Sequence, residues 1–374
     1  MDVDKINCSE IKKFSEFLSQ NDYGRNFETF YDFGKCVNIH EIFIDGIRYL
    51  TEGLLLKNGK LKLTLFKPKL SSSAQLQWYT PNTEVQILEM AKVSGENQKV
   101  ENMKLLETLY NSGHMSPFQM CNICMKIETS REIARQIMRH WSIYCSGQLD
   151  VQELSQRYKT AGEKPSQELL KTIQSLCKST ELSDVIIYPF FYKELRLQSK
   201  KNRQASFSLS EIAVDTVKED MDELIKMQRE FELSQYRLFI QSIINYERFS
   251  ANKVAREVNR VFFVESMTQT TFYMNGTIRS WIHYLQSRAL KTTGIAQREH
   301  EELSLKMLNI FKQICPCTHE LMIEGRLKSF ELKIDLSNEN QDKDLQISVF
   351  LEEPLTKIHS EYAFGSDVPI GSNQ

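Results

Sequence analysis

Arg139-His140-Trp141 is followed a short way downstream by Gln152-Glu153-Leu154-Ser155-Gln156-Arg157-Tyr158, which packs arginines, a histidine, a glutamate and a serine into one stretch. A solvated helix face carries such charges routinely. Two other segments set this one apart. Gly113-His114-Met115-Ser116-Pro117-Phe118 lies upstream, and Gly276-Thr277-Ile278-Arg279-Ser280-Trp281-Ile282-His283-Tyr284 lies downstream, with Arg288 just beyond. Ser130 to His140 reads as a helix. Ile133 and Ile137 form its apolar side, and Arg135, Gln136 and Arg139 fall on neighbouring faces.

Charge points to the ligand class. Phosphate and pyrophosphate groups are held by guanidinium forks or by backbone amides. Arg139, Arg157, Arg256 or Arg260, Arg279 and Arg288 are the candidates. No glycine-rich Rossmann fingerprint is present, so a conventional dinucleotide cradle is not expected. Ser155 has no Ser-His-Asp arrangement around it, and no motif marks Cys145 as a nucleophile. The chemistry is therefore expected to come from a bound cofactor, with the protein supplying orientation and electrostatics.

Composition is consistent with this. The 374 residues are 41% apolar and 26% charged, enough for a sizeable core. The formal net charge is -2 and no basic run marks a nucleic-acid groove, so any anionic partner is a small molecule and not a nucleic-acid polymer. No apolar run is long enough to span a bilayer, and Met1 to Glu10 is polar and acidic, so the expected address is the cytoplasm. The eight cysteines are too scattered for a disulfide framework. Cys121 and Cys124 form half a zinc motif, but they fall in a predicted strand over Met120 to Ile127, where residues at that spacing face opposite ways. Cys315, Cys317 and His319 would complete a site only if the fold brought them near. No metal is expected.

Residues 1–70 are an added N-terminal region. It carries an aromatic patch (Phe14, Phe17, Phe27, Phe30, Tyr31, Phe33) and strand-like alternation over Ile42 to Phe66 around a turn at Lys57-Asn58-Gly59-Lys60. Ser71-Ser72-Ser73 reads as a joint. A strand over Gln75 to Tyr79 leads to a helix with Thr80 as N-cap, Pro81 at the first helical position and Glu84 in its first turn. A second helix, near Val100 to Ser112, stops at Gly113. Residues 160–187 show no motif and read as an insertion. Ser210 to Arg248 reads as two long amphipathic helices. Helices are also predicted over Arg279 to Leu290 and Ala296 to Ile314. Residues 326–374 form a C-terminal extension with short strands at Phe330 to Ile334 and Leu345 to Leu351, then a disordered tail from Gly365.

Taken together, the quoted segments resemble the flavin-dependent thymidylate synthases, which methylate dUMP. The resemblance covers about Gln75 to Gly325 apart from the insertion. It implies an α+β chain with a thymidylate-synthase-complementing-protein-like fold, a mixed sheet flanked by long helices, over 74–325. In the family, a His-x-Ser-Pro-Phe element serves flavin and folate binding, which maps to His114 and Ser116. A Gln-x-x-Arg-His-Arg element maps to Gln136, Arg139, His140 and Trp141, its first part toward dUMP and its second toward FAD. A Glu-x-Ser-x-Arg element maps to Glu153, Ser155, Gln156 and Arg157 and carries dUMP contacts, with Glu153 also near FAD. Thr277, Arg279 and His283 match FAD-contacting positions. Gln198 to Gln204 resembles one branch of the family. Arg288 matches the arginine that activates dUMP. Carbon 5 of uracil becomes nucleophilic as negative charge builds at N3 and O4, and a fixed guanidinium stabilises that charge. The resemblance further implies FAD as cofactor, methylene-tetrahydrofolate and NADPH as co-substrates, and a homotetramer with sites shared between subunits.

The chain departs from the family pattern at several points. Trp141 stands where the family has a second arginine. Extra residues fall around Tyr144 to Leu149 and near Leu290 to Thr293, Ile295 replaces a histidine, and Gln119-Met120 replaces Glu-His. For the remaining dUMP arginine, Arg256 matches the family wording and Arg260 the spacing to Arg279. The two lie one helical turn apart, and Arg260 is preferred. The insertions and Trp141 keep one alternative in play, a relative that makes another 5-substituted pyrimidine nucleotide, such as a hydroxymethylated one; the added terminal regions, as working surfaces, keep a second, a non-catalytic nucleotide-binding or assembly protein.

Overall fold

A computed structural model of the protein describes residues 40–44, 47–55, 61–69, 71–93, 103–141, 149–157, 161–176, 182–199, 205–212 and 218–327. The aromatic patch before residue 34, the Lys57–Lys60 turn, Lys201–Gln204, the inserted residues after Trp141 and everything after 327 lie outside these. The strands are β1 (His40–Ile44), β2 (Ile47–Leu55), β3 (Leu61–Lys69), β4 (Ser73–Tyr79), β5 (Asn122–Ser130), β6 (Leu149–Glu153), β7 (Leu182–Phe191), β8 (Arg196–Gln198), β9 (Ser206–Ser208) and β10 (Gln269–Thr277). The helices are α1 (Thr83–Lys92), α2 (Met103–Asn111), α3 (Arg131–Met138), α4 (Gln167–Leu176), α5 (Leu209–Ile212), α6 (Lys218–Ala251), α7 (Arg256–Asn259), α8 (Ile278–Arg288), α9 (Arg298–Ile314) and α10 (Pro316–Glu324). The class is α+β.

The antiparallel sheet β4-β5-β10-β6 positions the signature segments. β10 alternates with period two: Thr270, Phe272, Met274 and Gly276 are buried, while Tyr273 faces outward. The buried row packs on the main core, which holds Ile87, Leu106, Phe118, Ile137, Trp281 and Phe311 among others. Two strands pass directly into helices. Ser130 ends β5 and caps α3 by accepting from the Ile133 amide at 3.4 Å. Thr277 ends β10 and caps α8 by accepting from the Ser280 amide at 3.2 Å. The Trp281 indole donates to the Ile123 carbonyl at 3.0 Å, pinning α8 to β5.

The N-terminal strands and the segment read as an insertion meet in one mixed sheet, β1-β2-β3-β7, in which β3 and β7 run parallel. Leu63, Leu65, Val185 and Ile187 pack there with Ile173 of α4. Phe66, Tyr188 and Phe190 pack with Tyr236, Phe239 and Ile243 of α6. The motif-free stretch is thus a strand and a helix whose partners lie far away in sequence, which a local reading does not detect.

Two local expectations are corrected. Among the described residues, Ser210 to Arg248 does not hold two long helices. It holds the single turn α5 and the helix α6, which runs unbroken because no glycine or proline falls between Lys218 and Ala251. Thr80 is not the N-cap of α1. Asn82 takes that place in the left-handed region, at φ 52°, a conformation asparagine tolerates. The Thr80 hydroxyl instead accepts from the Asn122 amide at 2.9 Å and ties the end of β4 to β5. The serines at 71–73 lie between β3 of one sheet and β4 of the other, where Ser72 is buried, bonds Thr129 through its hydroxyl at 2.7 Å, and accepts Lys306 on its carbonyl at 2.6 Å. Gly113 ends α2 as expected, at φ 73°, where a side chain would be strained.

Candidate active site

α3 and α8 bring the two halves of the sequence pattern together. The Arg288 Nε donates to the His140 Nε2 at 2.7 Å. The His140 ring stands edge-on to Tyr284, with centroids 5.3 Å apart, and lies 6.2 Å from His300. Tyr284 Oη and His300 Nε2 are 3.0 Å apart, and His300 Nδ1 lies 3.3 Å from Gln136 Oε1. Gln136 Nε2 in turn donates to Gln297 Oε1 at 2.6 Å. Burial and the Arg288 charge push the His140 imidazole down to about 4. His300 falls to about 3 for the same reasons, with burial first. Both rings are therefore neutral near pH 7, and Arg288 supplies the fixed positive charge.

A second cluster lies where β6 ends. Glu153 accepts from the Thr270 hydroxyl at 2.7 Å and faces Arg131 at 3.4 Å. The Ser155 hydroxyl accepts from the Arg157 amide at 3.3 Å, and the Arg157 guanidinium pairs with Glu257 at 3.1 Å. Arg260 donates through Nε to the Glu257 carbonyl at 3.1 Å. Arg256 opens the same short helix, so Arg157, Arg256 and Arg260 all belong to one exposed patch. Gln156 lines a small cavity of about 30 Å³ beside Tyr188, Phe239 and Thr268.

The remaining predicted residues are more dispersed. His114 and Ser116 are exposed in the turn after α2. Arg139 and Trp141 belong to a short 3-10 turn with His140, and the Arg139 side chain is exposed. Thr277 is committed to capping. Arg279 is half-buried and His283 exposed on α8. Among the described residues neither Arg139 nor Arg279 pairs with a carboxylate. Cys121 and Cys124 serve different surroundings: Cys121 donates to the Thr83 carbonyl at 3.7 Å, while Cys124 is buried in β5 opposite Trp78 of β4. No group of His, Cys, Asp or Glu among the described residues is arranged to hold a metal. None of the described helices is long and apolar enough to cross a membrane. A larger cavity, about 310 Å³, is lined by Tyr192, Lys193, Arg196, Phe231 and Arg298. It holds none of the predicted residues, and its cations pair with Glu132, Glu211 and Glu302.

Comparison with known proteins places this geometry. A model described as thymidylate synthase complementing protein matches residues 75–317. The chain belongs to this family. A probable flavin-dependent thymidylate synthase from Paramecium bursaria Chlorella virus 1 is 31% identical, over 59% of this chain and 82% of that relative. A flavin-dependent thymidylate synthase from Synechocystis sp. is 33% identical, over 60% and 83%. A UMP/dUMP methylase from Streptomyces cacaoi, solved with 5-Br UMP, has a TM-score of 0.50 at 18% identity and covers 70% of this chain and 98% of that chain. At that identity the likeness speaks for the fold alone.

For this thymidylate synthase complementing protein family member, sequence reasoning missed Tyr284, Gln297, His300 and Glu257. His300 carries the one available signal. It sits on the buried stripe of α9 with Leu303, Ser304 and Met307, at helical spacing, where a histidine needs hydrogen-bond partners.

Proposed function

We propose that this protein converts dUMP to dTMP with FAD as cofactor and methylene-tetrahydrofolate and NADPH as co-substrates, as a homotetramer and without a covalent enzyme nucleophile. The observation that carries the reading is the Arg288–His140 contact, which sets a permanent cation beside the signature segment. The family membership and the relatives' names support the same chemistry.

The donor set suits the groups to be bound. Arg157, with Arg260 or Arg256, matches the double charge of a nucleotide phosphate. Arg139 and Arg279, unpaired among the described residues, and His114 and His283 match a pyrophosphate. When bound, FAD supplies the hydride that completes the new methyl group. The protein's own part is to hold Arg288 where charge develops on uracil N3 and O4 as carbon 5 attacks the folate's methylene carbon. Arginine keeps its proton throughout, so Arg288 acts by charge and by hydrogen bonding. The overall reaction balances as dUMP, methylene-tetrahydrofolate, NADPH and a proton giving dTMP, tetrahydrofolate and NADP+.

Incubating the FAD-loaded protein with dUMP, methylene-tetrahydrofolate and NADPH, and resolving the nucleotides by mass, tests this. The expected product is dTMP. A hydroxymethylated or otherwise 5-substituted nucleotide, or unchanged dUMP, overturns it.

A further inference from the structure

His300 is fully buried, 1% exposed, and no role in the proposed reaction uses it. Its two ring nitrogens are nevertheless both engaged, and the partners fix the direction of each bond. Gln136 turns its amide nitrogen to Gln297 Oε1, so its own oxygen faces His300 Nδ1. His300 Nδ1 must therefore carry the proton and donate. The neutral ring then presents a bare Nε2, which accepts from the Tyr284 hydroxyl. The result is a one-way chain: Tyr284 to His300, His300 to Gln136, Gln136 to Gln297. Tyr284 also supports the His140 ring edge-on, and His140 in turn accepts from Arg288.

We propose that His300 is a positioning residue: through Tyr284 and Gln136 it sets the orientation of His140 and hence of the Arg288 guanidinium. The assignment rests on the reading of Arg288 as the group that activates dUMP. It concerns a buried side chain on α9, outside every signature segment. A neutral imidazole suits this place because one face donates and the other accepts, without adding charge beside Arg288. Phenylalanine fills the space and keeps neither bond. Glutamine keeps one donor and one acceptor.

The test compares wild type, H300F, H300Q and Y284F, all loaded with FAD. The expected result for H300F is a kcat reduced at least about tenfold with a dUMP dissociation constant changed less than about threefold, because the loss falls on charge developing in the transition state. H300Q should recover most of kcat. Y284F, which removes one hydroxyl from the same chain, should fall between them and serves in place of H300F if that variant does not fold. Histidine NMR gives a readout free of turnover: the His140 titration should move in H300F, or in Y284F if H300F does not fold, and return toward wild type in H300Q. A wild type that makes dTMP, with variants equal to it in kcat and in His140 titration, overturns the positioning role and leaves the proposed reaction standing. A wild type that makes no dTMP overturns the reaction. In that case an unmoved His140 titration overturns the positioning role as well, and a moved one retains it.

Discussion

Arg288 and His140, 148 positions apart in the chain, meet through a 2.7 Å hydrogen bond from the guanidinium Nε to the imidazole Nε2. The bond needs a bare Nε2, and the depressed His140 value keeps it bare well below neutral pH. Among the described residues no other hydrogen bond of Arg288 is formed, which leaves its terminal nitrogens open for the proposed ligand. Arg288→Ala is expected to lower dTMP formation by on the order of 100- to 1000-fold, as does loss of one preorganised charge donor elsewhere. Arg288→Lys should recover little, since a point charge does not reproduce the planar fork. The measurement is steady-state turnover, with circular dichroism to show an unchanged fold. Activity within about threefold of wild type in the alanine variant would remove Arg288 from the mechanism.

Glu257 pairs with Arg157, with both side chains more than half exposed at 59% and 56%. If Arg157 receives the nucleotide phosphate, that phosphate has to displace a resident carboxylate. An exposed pair of this kind is worth under about 1 kcal/mol. Glu257→Gln should therefore lower KM for dUMP by roughly two- to fivefold and leave kcat nearly unchanged. The gain should shrink as salt is raised. A KM that rises, or does not move, argues against displacement.

Local signals in the sequence were easier to read than the frame that joins them. Gly113 was legible as a helix stop and Ser130 as a helix start, and both act so; the cap at Thr277 and the alternation of β10 are equally local but were not read. The pairing of β3 with β7 is not local: Leu63 finds Val185 only after the chain has built β4, β5 and β6 in between. Thr80 misled because Ser/Thr-Pro is a general start signal, whereas here its hydroxyl is drawn to Asn122 across the sheet. The signature arginines were legible one by one. Their partners were not, because Glu257, Tyr284 and His300 acquire meaning only through neighbours supplied by the fold.

Two histidines of the cluster titrate well below their ordinary value, His140 near 4 and His300 near 3, chiefly because burial disfavours the charged ring. In the unfolded chain both take up a proton as pH falls through about 6.5, while the folded chain does not. The unfolded state then binds more protons, so stability is fully present above about pH 6.5 and is lost as pH falls toward the folded values. For His300 alone the loss at pH 5 is about 2 kcal/mol. Thermal midpoints measured from pH 7.5 to 4.5 should therefore fall, and H300Q should show a shallower fall than wild type. Parallel curves for the two proteins would show that His300 is not held neutral by the fold.

Glu84 is buried at the start of α1 and accepts from the Thr318 amide at 2.6 Å, the Thr318 hydroxyl at 2.8 Å and the Cys317 amide at 3.3 Å. It caps α10, placed where the free amides of the first turn need acceptors. Burial raises its carboxyl, while the Thr318 and Cys317 donors pull the other way. Glu84→Ala leaves these amides buried without an acceptor and is expected to cost about 3 kcal/mol. Glu84→Gln keeps an oxygen for Thr318 and should cost less. Denaturant unfolding distinguishes these outcomes, and an alanine variant as stable as wild type would deny Glu84 the capping role.

Gly162 sits where the chain returns from the signature segment to the mixed sheet. Its neighbour Glu163 exchanges both backbone hydrogen bonds with Ile187 of β7, at 2.7 and 2.8 Å. A methyl group on Gly162 would come within 2.3 Å of Ile186 Cγ2 and 3.1 Å of the Tyr188 ring. The backbone is held too close to β7 by the Glu163–Ile187 bridge to retreat freely. Gly162→Ala is therefore expected to destabilise by about 1–3 kcal/mol through overpacking, with either Ile186 or the bridge giving way. Ile186→Ala removes the obstructing methyl, so G162A in that background should cost clearly less than G162A alone, a coupling that a double-mutant cycle measures directly. Additive effects of the two substitutions would mean that the close approach does not fix this loop on the sheet.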